Sequence, residues 1–158
     1  MLAGFLALCL LGAYWNVTYQ RSQSRVAAQA VNAAAQPGDV VVFCPDQLGP
    51  AFSRAMRTDL DQVVYPTMGP PDRVDWVDYA PRNSAADPVA FAQQVLARAD
   101  GHQIFLVWQT TYRTFEGQCE ALANSLSAAR RASTSLVAAD QGGSFFEPGA
   151  VTLFRAGA

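Results

Sequence analysis

The stretch PGDVVVFCPDQLGP, residues 37–50, constrains this chain more than any other. A Pro-Gly-Asp turn feeds five apolar residues, Val40 to Cys44, and a polar loop follows at once. A strand that wets one face alternates polar with apolar residues, whereas a strand apolar on both sides needs a packed layer against each face. The run is therefore read as the first strand of an α/β sheet. Its loop, 45–49, then lies at the carboxyl end of the strand, where such sheets place their ligands.

The chain beyond Val40 repeats the theme. Pro50 is placed to open a helix with Phe52, Met56 and Leu60 along one side. Residues 62–65 are expected as a short second strand. Residues 74–79 alternate Val74 and Trp76 with Asp75 and Val77, which predicts a strand near a sheet edge. Asp87-Pro88 reads as an N-cap followed by the first helical residue, with Ala92, Val95, Leu96 and Ala99 on the inner face and Asp100-Gly101 as the stop. A second unbroken apolar strand is expected at 104–108, then a helix over 116–131 with Cys119, Leu122, Leu126 and Ala129 inside. Segments 135–139 and 150–154 read as closing strands joined by Gly-Gly and Pro-Gly turns. Helices alternating with strands predict a three-layer, mostly parallel, Rossmann-like α/β sheet, with an antiparallel edge at its end. With 158 residues, one domain spanning 37–158 is expected.

The amino-terminal part is different. Residues 1–20 carry no charged side chain, and Tyr14, Trp15 and Tyr19 gather where the apolar core ends. Aromatic residues collect where hydrocarbon meets headgroup, so a membrane helix over 1–20 is expected. A cleaved signal peptide and a core helix are the alternatives for an apolar stretch this short, although a signal would want a basic start and a cleavage site. Residues 21–36 continue in helical rhythm, with Ala27, Ala30, Val31 and Ala34 on one face, and are read as a connecting helix nearly continuous with the first. Only 15% of the residues are charged, against roughly 25% in soluble domains, which agrees with a membrane segment or a large interface. A net charge of -2 leaves no basic field for nucleic acid, which is not expected as a partner.

No catalytic constellation is visible. Cys44 ends the first strand and Cys119 begins the helix after the second apolar strand, two places that meet on one side of a parallel sheet. A Cys44–Cys119 disulfide is expected, with two buried free thiols as the alternative. Arg54 stands ten positions after Cys44, not at the spacing of a phosphatase loop, and the one histidine, His102, lies at the other end of its strand, so a Cys-His pair is not expected. The carboxylates match no calcium or zinc spacing, so no metal or other cofactor is expected. Asp46, Gln47 and Arg54 are the candidates for a polar binding site, because they sit at the strand-to-helix crossing; holding the loop is the structural alternative.

The run RSQSRVAAQAVNAAAQPGDVVVFCPDQLGPAFSR, residues 21–54, with VDWVDYAPRN, residues 74–83, resembles the carboxyl-terminal part of actinobacterial multi-spanning membrane glycosyltransferases. These use polyprenyl-phosphate sugars and are similar to protein mannosyltransferases. The resemblance implies an extracytoplasmic α/β domain following a last membrane helix, with a multi-spanning glycosyltransferase subunit or a lipid-linked sugar as partner. The family's catalytic aspartate lies in an early loop between membrane helices, and no residue here can inherit that role. The expected forms are then a terminal fragment, a product working beside a separate membrane subunit, or a domain without transfer activity. Arg21 and Arg25 after the helix favour a cytoplasmic domain, while the disulfide and the resemblance favour the outside, which is the expectation. A single-pass protein whose α/β domain only binds another protein is the alternative function.

Overall fold

A computed structural model describes residues 2–112, 116–130 and 132–156. Helix α1, Leu2–Thr18, and helix α2, Ser24–Ala34, precede strand β1, Val40–Cys44. A 3-10 turn, Asp46–Leu48, leads to α3, Gly49–Ser53, and β2, Asp61–Val64. Helices α4, Tyr79–Ser84, and α5, Pro88–Ala99, precede β3, Ile104–Trp108. The chain ends with α6, Gln118–Ala129, β4, Ser133–Val137, and β5, Ala150–Phe154.

The five strands lie in the order β2-β1-β3-β5-β4. β1 is parallel to β2 and to β3, while β5 is antiparallel to both β3 and β4. Four strands thus share one direction, and the single reversed strand is inserted between β3 and β4. The expected antiparallel element exists, but the outermost strand is β4, whose first residues are exposed.

The double burial of β1 has the reason its composition implied. Val41 and Phe43 pack with Ala27 and Val31 of α2 and Phe52 of α3, whereas Val40, Val42 and Cys44 pack with Val95 of α5 and Leu122 of α6. β3 divides in the same way, with Phe105 and Val107 on the first face and Ile104 and Leu106 on the second. All five residues of β1 are inaccessible to solvent. The caps also follow from local chemistry: Asp87 Oδ1 accepts from the amides of Val89 at 2.8 Å and Ala90 at 3.1 Å, and Asp100 and Gly101 both take positive φ after α5.

Four expectations are corrected. Residues 74–79 form no strand: Asp78 is left-handed, the Val77 amide bonds the Asp75 carboxylate, and Arg82 takes the carbonyls of Asp75 and Val77, so turn chemistry produced the period-two pattern. α3 stops at Ser53; Met56 and Leu60 are still buried, but from the following turn, where Asn32 Oδ1 takes the Arg57 amide. α6 ends at Ala129, and Arg131, its expected end, lies outside the described residues. The first two helices are not continuous, because Arg21 and Gln23 turn their backbone to Glu147: the Glu147 amide donates to Arg21 O at 2.9 Å and the Gln23 amide to Glu147 O at 3.0 Å.

Where a membrane helix over 1–20 is expected, a helix forms over Leu2–Thr18, 17 residues. At 1.5 Å per residue it reaches about 25 Å, short of the roughly 30 Å hydrocarbon thickness. No helix among the described residues is long and apolar enough to cross a membrane. None of its residues is buried against the rest of the chain.

Candidate functional site

β1 lies between β2 and β3, and the helices that follow β1 and β3 pack on opposite faces: α3 joins the α2 side, α6 the α5 side. That divergence opens a crevice at the carboxyl ends of β1 and β3, the usual ligand position of a parallel sheet. Here it is closed covalently. Cys44, the last residue of β1, is joined to Cys119 in the first turn of α6, with Cα atoms 5.7 Å apart, and both residues are buried. The expected disulfide is present, and Cys9 is the free thiol among the described residues, exposed on α1.

The open polar crevice is displaced from this bridge toward β2. It holds about 110 Å³ and is lined by Asp46, Thr67, Arg73, Asp75 and Arg82 among others. The loop that brings Arg73 there lies so close to Gly49 that a Cβ on that residue would meet Pro71 O at 2.7 Å. Glycine is thus required at the start of α3 to seat the far wall of the crevice.

Asp46 forms its floor, 3% exposed, and accepts the Tyr79 hydroxyl at 3.1 Å on Oδ1. Burial raises its pKa above the usual aspartate value, opposed by the Tyr79 hydrogen bond and the charge of Arg82. Tyr79 is driven far above the ordinary phenol range by burial first and then by the Asp46 charge. Arg82 stacks 5.7 Å from the Tyr79 ring centre, and Trp76 lies 4.8 Å from that ring, tilted by 40°. Arg82 also pairs with the Asp75 carboxylate at 3.6 Å. Trp76 is 63% exposed; it is not part of the lining and reaches the crevice residues only through its contact with Tyr79, which bonds Asp46.

Such a set can bind a polar ligand through carboxylate and guanidinium groups while an aromatic face covers an apolar one. It contains no paired nucleophile and base. No group of three or more residues able to hold a metal ion occurs among the described residues.

The structure brings one of the three sequence candidates to this crevice. Asp46 lines it. Gln47 shares the 3-10 turn and is half-buried, with Oε1 enclosed and without a hydrogen-bond partner, but it is not part of the lining. Arg54 is exposed just past the end of α3 and does not line the crevice either. Tyr79 and Arg82 escaped sequence reasoning because 74–79 was read as a strand; their three-residue spacing, the signature of one helix face, was the signal present. His102 sits at the opposite end of the sheet, half-exposed beside Asp39 at 3.6 Å. No family model, curated protein or solved structure matches this chain.

Proposed function

We propose that this chain is a membrane-attached, extracytoplasmic α/β domain that serves a polyprenyl-phosphate-sugar-dependent glycosyltransferase, as its terminal part or as an accessory beside it. The observation that carries the reading is α1. A helix apolar on every side is stable where water is absent, yet Leu2, Leu8, Leu10 and Val17 are all at least 70% exposed. The surroundings that cover it are a bilayer or the neighbouring helices of a membrane subunit. The disulfide supports an oxidising compartment. The resemblance of residues 21–54 and 74–83 to the glycosyltransferases supplies the enzyme class, and the second of these segments supplies Asp75 and Arg82 to the crevice lining, with Tyr79 bonded to Asp46 and Trp76 packed on Tyr79. In this reading the crevice contacts the acceptor or the sugar phosphate of the lipid-linked donor, with the arginines toward phosphate and Trp76 toward the sugar.

The test has two arms. Full chain in detergent micelles is titrated with a short-chain polyprenyl-phosphate mannose and read by tryptophan fluorescence; saturable quenching that disappears in Trp76→Ala and Arg82→Gln supports the reading. In membranes of the producing cell, deletion of residues 37–156 with the membrane enzyme intact should abolish sugar transfer. Unchanged transfer, together with a stable partner on pull-down, would instead favour a protein-interaction domain. The compartment is read separately, by labelling a Cys9→Ala/Ala97→Cys variant in intact cells with a membrane-impermeant maleimide.

A further inference from the structure

The loop between β4 and β5 is held firmly and yet exposes a large apolar side chain. Gln23, 6% exposed, fastens both its ends: Nε2 donates to Ala138 O at 2.8 Å, and Oε1 accepts the amides of Asp140 at 3.0 Å and Gly149 at 3.1 Å. Within the loop the Asp140 carboxylate accepts amides from Gly142 at 3.1 Å, Ser144 at 2.6 Å and Phe145 at 3.2 Å. Glu147 is paired through its backbone with Arg21 and Gln23, and its carboxylate accepts the Tyr112 hydroxyl at 3.1 Å. At the tip of this framework Phe146 is 89% exposed.

Its surroundings identify what it meets. The Tyr19 hydroxyl donates to Ser144 O at 3.3 Å, which ties the loop to the carboxyl end of α1. Tyr19, Arg21, Gly143 and Phe146 border one open hollow of about 500 Å³. Trp15 and Tyr14 stand on the neighbouring turn of α1, both more than 60% exposed; Arg21 shares a hollow with Trp15 and Tyr19, and Arg25 is exposed at the start of α2. Aromatic rings with adjacent arginines are the composition of a membrane interface, and arginine favours anionic headgroups. Whatever surface receives the end of α1 is brought against Phe146 as well.

We propose that the 140–147 loop is a second membrane contact, with Phe146 inserted at the headgroup–acyl boundary of an anionic bilayer at the level of Tyr19, and Arg21 facing headgroup phosphate. The inference rests on α1 being lipid-embedded. It adds a second point of attachment, which fixes the tilt of the α/β domain and with it the direction in which the crevice faces. A preorganised loop inserts without an ordering cost, which accounts for so many hydrogen bonds around an exposed phenylalanine.

The experiment uses the full chain in vesicles of phosphatidylcholine and phosphatidylglycerol, with a polarity-sensitive thiol fluorophore and nitroxide-labelled lipids. Wild type is labelled at Cys9, the other two cysteines being bridged. Cys9→Ala/Phe146→Cys reports the loop, and Cys9→Ala/Ala97→Cys reports an exposed site on the opposite layer. The proposal expects blue-shifted, nitroxide-quenched emission at 146 and water-like emission at 97. To exclude capture of the dye alone, a probe at Gln141→Cys should lose its quenching when Phe146→Asp is added. Water-like emission at 146 with Cys9 quenched overturns the loop contact and leaves the α1 reading standing, and a protein then becomes the partner for Phe146. Water-like emission at both sites overturns the two together.

Discussion

Helix α1 and strand β1 are both apolar and free of charge, and they end in opposite conditions. Every residue of β1 is inaccessible to solvent, whereas no residue of α1 is buried. Hydrophobic composition states that a segment must leave water; it does not say what will cover it. β1 succeeds within the chain because it is short enough for α2 and α3 to close one face and α5 and α6 the other. α1 presents apolar residues around its whole circumference, which no single layer can cover. One region is therefore covered within the chain, and the other is left exposed by it.

That contrast can be tested from both sides. The largest effect is expected from Cys44→Ala/Cys119→Ala, since the bridge closes a loop with a sequence separation of 75 residues; its removal should cost about 4.5 kcal/mol by the loop-entropy relation. Denaturant titration of the full chain measures this, and an unchanged midpoint would remove the bridge from the account of the buried region. Next, Phe43→Ala empties a site in β1 with no exposure and should cost about 4 kcal/mol. Phe5→Ala in α1 should change the same midpoint by less than about 0.5 kcal/mol. Equal effects would end the comparison, because α1 would then belong to the core.

The joint between the two regions is Gln23. Gln23→Ala strands the enclosed amides of Asp140 and Gly149 and should cost about 2 kcal/mol. Amide exchange should quicken across 140–147 while β1 remains protected; exchange that rises uniformly would mean that Gln23 serves the whole domain instead of the loop.

The smallest loss expected within the buried region is at the Tyr65 hydroxyl, which is itself inaccessible to solvent. The Tyr65 hydroxyl donates to Gln118 Oε1 at 2.8 Å, so Tyr65→Phe should cost about 1 kcal/mol near neutrality. Burial pushes the Tyr65 phenol from 10.0 up to about 12. Above pH 10 the unfolded chain gives up this proton first, so stability is complete below pH 10 and is lost as pH rises toward 12. Stability of Tyr65→Phe should fall less steeply over that window, and equal slopes for the two proteins would refute the assignment.

How much of this was legible depends on how local the cause is. The pairing of Cys44 with Cys119 followed from placing a strand end and a helix start on one side of a parallel sheet, although 75 residues separate them in the chain. Asp46 was legible for the same reason. Arg54 was not, because a helix turns about 100° per residue and α3 closes after five residues with Arg54 outward. The contribution of Asp75 and Arg82 to the lining, and of Tyr79 as the partner of Asp46, was hidden by an alternation that imitates a strand. The backbone groups of that segment are met by its own Asp75 and Arg82, and no sheet neighbour was needed.

The residues by themselves determined that β1 and β3 would be buried on both faces, where α5 would start and stop, and that α1 would carry no charge. These outcomes depend on contiguous side chains, through periodicity, capping and proline or glycine geometry. Only the tertiary structure decided that β5 would enter reversed between β3 and β4, that the first two helices would part at Arg21 to Gln23, and that the polar crevice would open toward β2 once the bridge filled the cleft. Each of these is settled by which distant backbone groups find partners and which apolar faces find cover, a competition among segments far apart in the chain.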